Sequence, residues 1–283
     1  MPTDLAVRRA AFRRLHEEGC FVMPNPWDVG SARALQYLGF PALATTSAGM
    51  AFSQGVPDGG VPRADVLDHI RAIARTVEVP VNADFESGFA ADAAGVAESV
   101  RLCVVTGVSG LSIEDATGDR AAPLFALDVA VARLRAAREA IDASGTGLVL
   151  TARAECHLVG HPDPLRESIR RLEAYAAAGA DCLYAPGLRT AQEVAAVVKA
   201  VAPLPVNVLA GGSGFSVAQL RDLGVRRISV GAALARAAWG AFLRAAEEIA
   251  GTGTFQALAE AAPFPRLNAF FTEDVKRRGK DGP

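Results

Sequence analysis

Asp84, Glu114 and Arg153 each close a short apolar run of this chain, and Glu155 stands two residues beyond the arginine. Asp58 lies in a glycine-rich stretch, Gly55-Val56-Pro57-Asp58-Gly59-Gly60. Within Asn82-Ala83-Asp84-Phe85-Glu86-Ser87-Gly88, residues 82 and 84 share one side of an extended strand by its two-residue period. Carboxylates gathered from separate strand ends repel one another unless a cation neutralises them. Oxygen donors without a histidine or cysteine pairing suit a hard dication, so the expectation is Mg2+ or Mn2+ near Asp84 and Glu114, with Asn82 on the same side of its strand as Asp84 and Asp58 above them on its loop. Asp115 and Asp128 read instead as loop acids or helix caps.

Other chemistries are weaker. A Schiff-base lysine is close to excluded, because Lys199 falls in a helical segment and Lys276 and Lys280 lie in the tail. Cys156 and His157 are adjacent on an extended segment and point to opposite sides, which argues against a thiol–imidazole pair. His157 alone remains a candidate acid or base. Ala210-Gly211-Gly212-Ser213-Gly214 and Gly231-Ala232-Ala233 offer backbone N–H groups that suit a phosphate, or Asn207 and Gly211 could bind a substrate carboxylate. His16 and His69 fall in helical segments and read as structural.

These residues need a scaffold, and the chain supplies a rhythm. Apolar runs recur at Cys20 to Asn25, Ala42 to Thr46, Val79 to Asp84, Gly110 to Glu114, Leu148 to Arg153, Asp181 to Ala185, Pro205 to Leu209 and Arg227 to Val230, with Ala-rich helical stretches between. Eight strand-helix units predict a (β/α)8 barrel, whose chemistry sits where the strands end. Gly39, Gly107, Gly179 and Gly224 fall where helices should turn back into strands. Asp4 to Glu18 predicts a structural helix beneath or beside the barrel. Residues 47–60 read as one long loop, the kind that often carries function. The tail from Phe264 exposes aromatics that pack either on another subunit or on the bottom of their own barrel. At 283 residues one barrel domain spans the chain, 1–283, with short extensions.

Net charge −2 gives no electrostatic footprint for nucleic acid or an anionic membrane, so the expected partner is a small soluble molecule. The charged N-terminus lacks a signal core and no apolar run reaches a membrane span, which reads as cytoplasmic. Four scattered cysteines form neither a disulfide framework nor a zinc spacing.

Together, Thr46-Ser47-Ala48-Gly49, Gly55-Val56-Pro57-Asp58, Asn82-Ala83-Asp84 through Gly88, Ile113-Glu114-Asp115 and Ala152-Arg153-Ala154-Glu155 resemble the isocitrate lyase/phosphoenolpyruvate mutase superfamily over nearly the whole chain. The resemblance implies a barrel that assembles as a homo-oligomer, a dimer or a tetramer with exchanged last helices, and uses Mg2+ to bind a 2-oxo or 2-hydroxy acid as its enolate. It implies that Asp58, Asp84 and Glu114 surround the metal, that Arg153 grips the substrate carboxylate and that Ser47, Ala48 and Gly49 form an oxygen-binding turn. The chain departs from the pattern in two places. Asn82 stands where the superfamily has an aspartate, and its amide oxygen can bind the metal but brings no charge. Ala116-Thr117-Gly118-Asp119-Arg120-Ala121-Ala122-Pro123-Leu124 replaces the lyases' Lys-Lys-Cys-Gly-His loop and the mutases' Lys and Asn. The expected activity is therefore a carbon–carbon lyase of a small carboxylic acid, by retro-aldol cleavage or decarboxylation. A phosphonate or phosphoenolpyruvate-type mutase or hydrolase, a phosphosugar enzyme and a non-catalytic carboxylate-binding barrel are the alternatives.

Overall fold

Each apolar run contains a strand in the computed structural model, which describes residues 4–212 and 214–280. The strands are β1 (Phe21–Met23), β2 (Leu43–Ala44), β3 (Val81–Asp84), β4 (Gly110–Glu114), β5 (Val149–Arg153), β6 (Cys182–Tyr184), β7 (Val206–Leu209) and β8 (Arg227–Ser229). All pair in parallel in the order β1-β8-β7-β6-β5-β4-β3-β2. The seam between β1 and β2 is drawn together by Ala44 N–H donating to the Pro24 carbonyl at 3.1 Å. Asn25 reinforces it: its Nδ2 donates to the Thr45 carbonyl, and its Oδ1 accepts the N–H groups of Val230 and Gly231. The eight parallel strands with alternating helices make a (β/α)8 barrel.

The barrel helices are α2 (Val29–Tyr37), α4 (Arg63–Thr76), α5 (Ala93–Val104), α6 (Leu127–Ala143), α7 (Pro164–Ala177), α8 (Ala191–Val201), α9 (Val217–Asp222) and α10 (Ala233–Thr252), and α1 (Leu5–Glu17) precedes them. Their apolar sides build one core with the strands, including Ile70, Ile73, Val100, Leu111, Ile141, Leu150 and Leu183. The four turn glycines all take positive φ, between 86 and 98°. No helix among the described residues is long and apolar enough to cross a membrane.

α1 closes the barrel floor. Phe12 is wholly buried against Phe21 and His16, while Arg8, Arg9 and Arg13 reach the carbonyls of Ala74, Val77, Val104, Val108, Gly147 and Leu148 on the surrounding units. These are acceptors that helix ends and strand starts leave open.

Two sequence expectations need revision. The stretch 47–60 is not one loop, since α3 (Ser47–Ser53) occupies its first half, started by Thr46, whose hydroxyl accepts the Gly49 N–H. The tail forms a short 3-10 turn (Gln256–Glu260) and α11 (Phe264–Lys280), which lies on α2 at the barrel's side rather than on its floor. Phe270 meets Tyr37 edge-on at 4.9 Å, and Arg33 makes a buried ion pair with Asp274.

Candidate active site

The C-terminal strand ends open on a cavity of about 500 Å3. Asp58, Asp84, Glu86, Glu114 and Glu155 line it with Arg153, and Asn82, Asn207, Ser47, Ala48 and Tyr184 complete much of the wall. Parallel register explains the gathering: Glu114 pairs with Arg153 across β4 and β5, and Arg153 pairs with Tyr184 across β5 and β6.

Arg153 is the electrostatic centre. Its Nη1 lies 3.0 Å from both Asp84 Oδ1 and Glu114 Oε2, and its Nε lies 2.9 Å from Glu155 Oε1. Burial works against its charge, but Glu114, Glu155 and Asp84 hold it well above the ordinary arginine range. Asp84 is fixed from three sides, because its Oδ2 also accepts the Ser47 N–H at 3.0 Å and its own N–H donates to Thr45 Oγ1. Burial pushes Glu114 up to about 8, against the pull of Arg153 and with repulsion from Glu155, Asp84 and Glu86. Burial likewise raises Glu155 and pushes Glu86 up to about 7, the latter aided by Asp84 and Asp58.

Glu155 is placed from behind. Its N–H donates to Asp115 Oδ1 at 2.8 Å, while Asp115 Oδ2 accepts from Arg171 at 3.0 Å and from Tyr175. Asp115 is thus a buried anchor and not the solvated loop acid or helix cap that its position in the chain suggests. Its partners stand on α7, 56 and 60 residues away. Asp128 does lie in the first turn of α6.

Three expected site residues stand apart from the cavity wall. Gly49 spends its N–H on Thr46, and a Cβ there would come within 2.6 Å of Thr46 Cγ2 and 2.9 Å of Trp27 Cβ, so this glycine serves close packing. Gly211 is similar, its missing Cβ falling 2.6 Å from the Val230 carbonyl oxygen. His157 lies within a turn in which Leu158 and Val159 donate to the Glu155 carbonyl; the turn carries the imidazole against Gly187 and puts Leu158 at the cavity instead. Cys156 is buried, with its thiol pushed up to about 11 by burial. Several of the N–H groups expected to hold phosphate are engaged: Ala210 donates to the Ser229 carbonyl, Gly212 to the Ala210 carbonyl, Gly231 to Asn25 and Ala233 to the Val230 carbonyl. Ser213 lies outside the described residues.

Several wall residues carry no local sequence signal. Arg227 crosses the cavity floor wholly buried, held by Asn207 Oδ1, Thr151 Oγ1 and His16. Tyr184 lies under the Arg153 guanidinium, 5.1 Å from ring centre to Cζ, and burial pushes its phenol up to about 12. Each depends on strands far apart in the chain.

The cavity's donor set fits a hard dication. Asn82 is 2% exposed, and its Oδ1 has no partner among the described residues although its amide nitrogen donates to the Ala83 carbonyl. Burial, and after it the repulsion of neighbouring acids, raises the pKa values of Glu86 and Glu114, and a cation placed beside them would favour their charged forms. No three His, Cys, Asp or Glu side chains among the described residues stand around one point as a finished cage. Mg2+ suits such a site, since it keeps several waters and takes one or two carboxylates.

Residues 12–250 match the family model for phosphoenolpyruvate phosphomutase. The chain belongs to this family. Of the solved structures similar to it, a lyase/mutase from Burkholderia cenocepacia J2315, described as putative, shares 49% identity over 95% of this chain and 97% of its own, with a TM-score of 0.91. An oxaloacetate decarboxylase of Bradyrhizobium diazoefficiens is 30% identical over 68% of this chain and 67% of its own length. A phosphonopyruvate hydrolase in complex with oxalate and Mg2+ superposes with a TM-score of 0.82 at 25% identity, covering 96% of this chain and 97% of that one. Family membership makes the chain an enzyme of the carbon–carbon lyase or mutase type, which sets aside the non-catalytic reading.

Proposed function

We propose that this family member is a Mg2+- or Mn2+-dependent carbon–carbon lyase that cleaves or decarboxylates a small 2-oxo or 2-hydroxy carboxylic acid through its enolate. The observation that carries the reading is the cavity's charge: five carboxylates, Asp58, Asp84, Glu86, Glu114 and Glu155, face Arg153 and the deeper Arg227. Such a wall repels a free anionic substrate and calls for a dication as intermediary. The oxaloacetate decarboxylase relative and the neighbour holding oxalate and Mg2+ support the same substrate class.

Asp84 and Glu114, with Asn82 Oδ1 and Asp58 beside them, are the residues that would hold the metal directly or through water. When bound, Mg2+ supplies Lewis-acid polarisation of the substrate's carboxylate and C2 oxygen. Arg153 offers the substrate carboxylate a planar, permanently charged donor set, and taking that role means releasing Asp84 or Glu114. Ala48, second residue of α3, presents an N–H that no acceptor among the described residues takes, at the cavity wall where oxyanion charge can develop. Tyr184 keeps its proton at neutral pH and serves as the O–H donor to the departing carbanion. That role matters because only Ala116, Thr117 and Gly118 of the loop after β4 reach the cavity, and none can donate an acidic proton there.

The apolar side chains left exposed on α10 and α11, among them Phe242, Leu243, Phe264 and Leu267, support assembly into a dimer or tetramer. The catalytic reading is tested by incubating the protein with a panel of 2-oxo and 2-hydroxy diacids, oxaloacetate included, and with phosphonopyruvate, assaying pyruvate, CO2 and inorganic phosphate. Turnover of at least one diacid with Mg2+ and none in a chelator is expected. Turnover of phosphonates alone, or equal rates in the chelator, would overturn it.

A further inference from the structure

We infer that Glu86 belongs to the cation shell of this cavity and carries the negative charge that its strand lacks at Asn82. The inference rests on the metal-dependent reading above. β3 delivers one neutral and one charged side chain to the cavity, Asn82 and Asp84. The chain then turns at Glu86, whose φ of 45° lies in the left-handed region that side-chain-bearing residues rarely adopt. Its carbonyl accepts the Glu114 N–H at 2.9 Å, tying this turn to the end of β4. A non-glycine residue held in that conformation at a cavity wall marks a place where side-chain position outweighs backbone comfort.

The carboxylate so placed has no partner among the described residues. Asp84, Glu114 and Glu155 share Arg153, and Asp58 accepts the Gly59 N–H. Glu86 makes no side-chain hydrogen bond or ion pair within the described residues, although it is half-buried and beside Asp84 and Asp58. The buried Asn82 Oδ1, equally without a partner, opens on the same cavity. Two unpartnered oxygen donors flanking Asp84 match what a hard dication and its waters require.

The test measures Mn2+ binding to the full-length protein by electron paramagnetic resonance, without substrate. Glu86→Gln should weaken binding about 10- to 100-fold, and Asn82→Asp in the Glu86→Gln background should recover most of that loss by returning one carboxylate to the strand. Glu86→Gly should weaken binding similarly while raising the melting temperature of the metal-free protein, because it removes both a crowded charge and the unfavourable φ. Glu86→Gln and Glu86→Gly variants that bind Mn2+ as the parent does would overturn this inference and leave the metal-dependent reading standing. A parent protein that binds no Mn2+ at millimolar concentration would overturn both.

Discussion

Arg153 holds three carboxylates at 2.9 to 3.0 Å, so its loss should register in stability before any assay of turnover. Arg153→Met is expected to cost about 3–5 kcal/mol by urea denaturation of the metal-free protein, the range for removing one partner of a buried ion pair. Added Mg2+ should restore part of it by supplying the missing positive charge. Tyr184→Phe keeps the ring beneath Arg153 and removes only the O–H, and should lower kcat by about 10²- to 10⁴-fold with little change in KM. Gly49→Ala separates packing from chemistry: its new methyl would meet Thr46 and Trp27 and should cost about 1–3 kcal/mol in melting experiments. At this scale the sequence exposes the acids and Arg153 that end strands, because a strand end fixes where a side chain arrives. It hides Asp115, Tyr184, Arg227 and the placement of Glu86, whose roles depend on partners from distant strands and helices. His157 and Gly211 show the converse, being the right residue types turned away by a local bend and a tight packing contact.

Elements position these residues, and the two at the ends of the chain make separate claims. α1 seals the floor through His16, which burial first and Arg227 second hold down at about 3. In the unfolded chain the same imidazole takes a proton near its ordinary 6.5, so the unfolded state binds more protons between those values. Stability should therefore be full above about pH 6.5 and be lost progressively as pH falls toward 3. A His16→Gln variant followed by chemical denaturation across that range should show a flatter acid limb than the parent. At the other end, Arg33 and Asp274 dock α11 onto α2 in a buried pair. Asp274→Ala leaves Arg33 buried without its carboxylate and should lower stability by about 3–5 kcal/mol, with faster amide hydrogen exchange confined to α11 and the facing turn of α2. The barrel's strands were legible because runs buried on both faces stay apolar throughout. α3 was not, since Ser47 and Gly49 look like loop residues until the Thr46 cap and the contact with Trp27 are seen.

Taken whole, the molecule is a barrel closed below by α1 and its arginines, clad in helices, and open above onto a cavity with more negative than positive charge. Under the proposed function that asymmetry gives the dication its purpose: it would convert the acidic wall from repulsive to attractive, leaving Arg153 and the Ala48 N–H to meet the substrate's oxygens. Sedimentation should show a dimer or tetramer, given the apolar side chains on α10 and α11, and a monomer at micromolar concentration would remove that part of the account. The most direct test of the central claim is calorimetric titration of the protein with oxalate, a planar mimic of the enolate, with Mg2+ and again in a chelator. Binding that requires Mg2+ is the predicted result, whereas equal binding in the chelator, or none in either condition, would contradict a metal and enolate site.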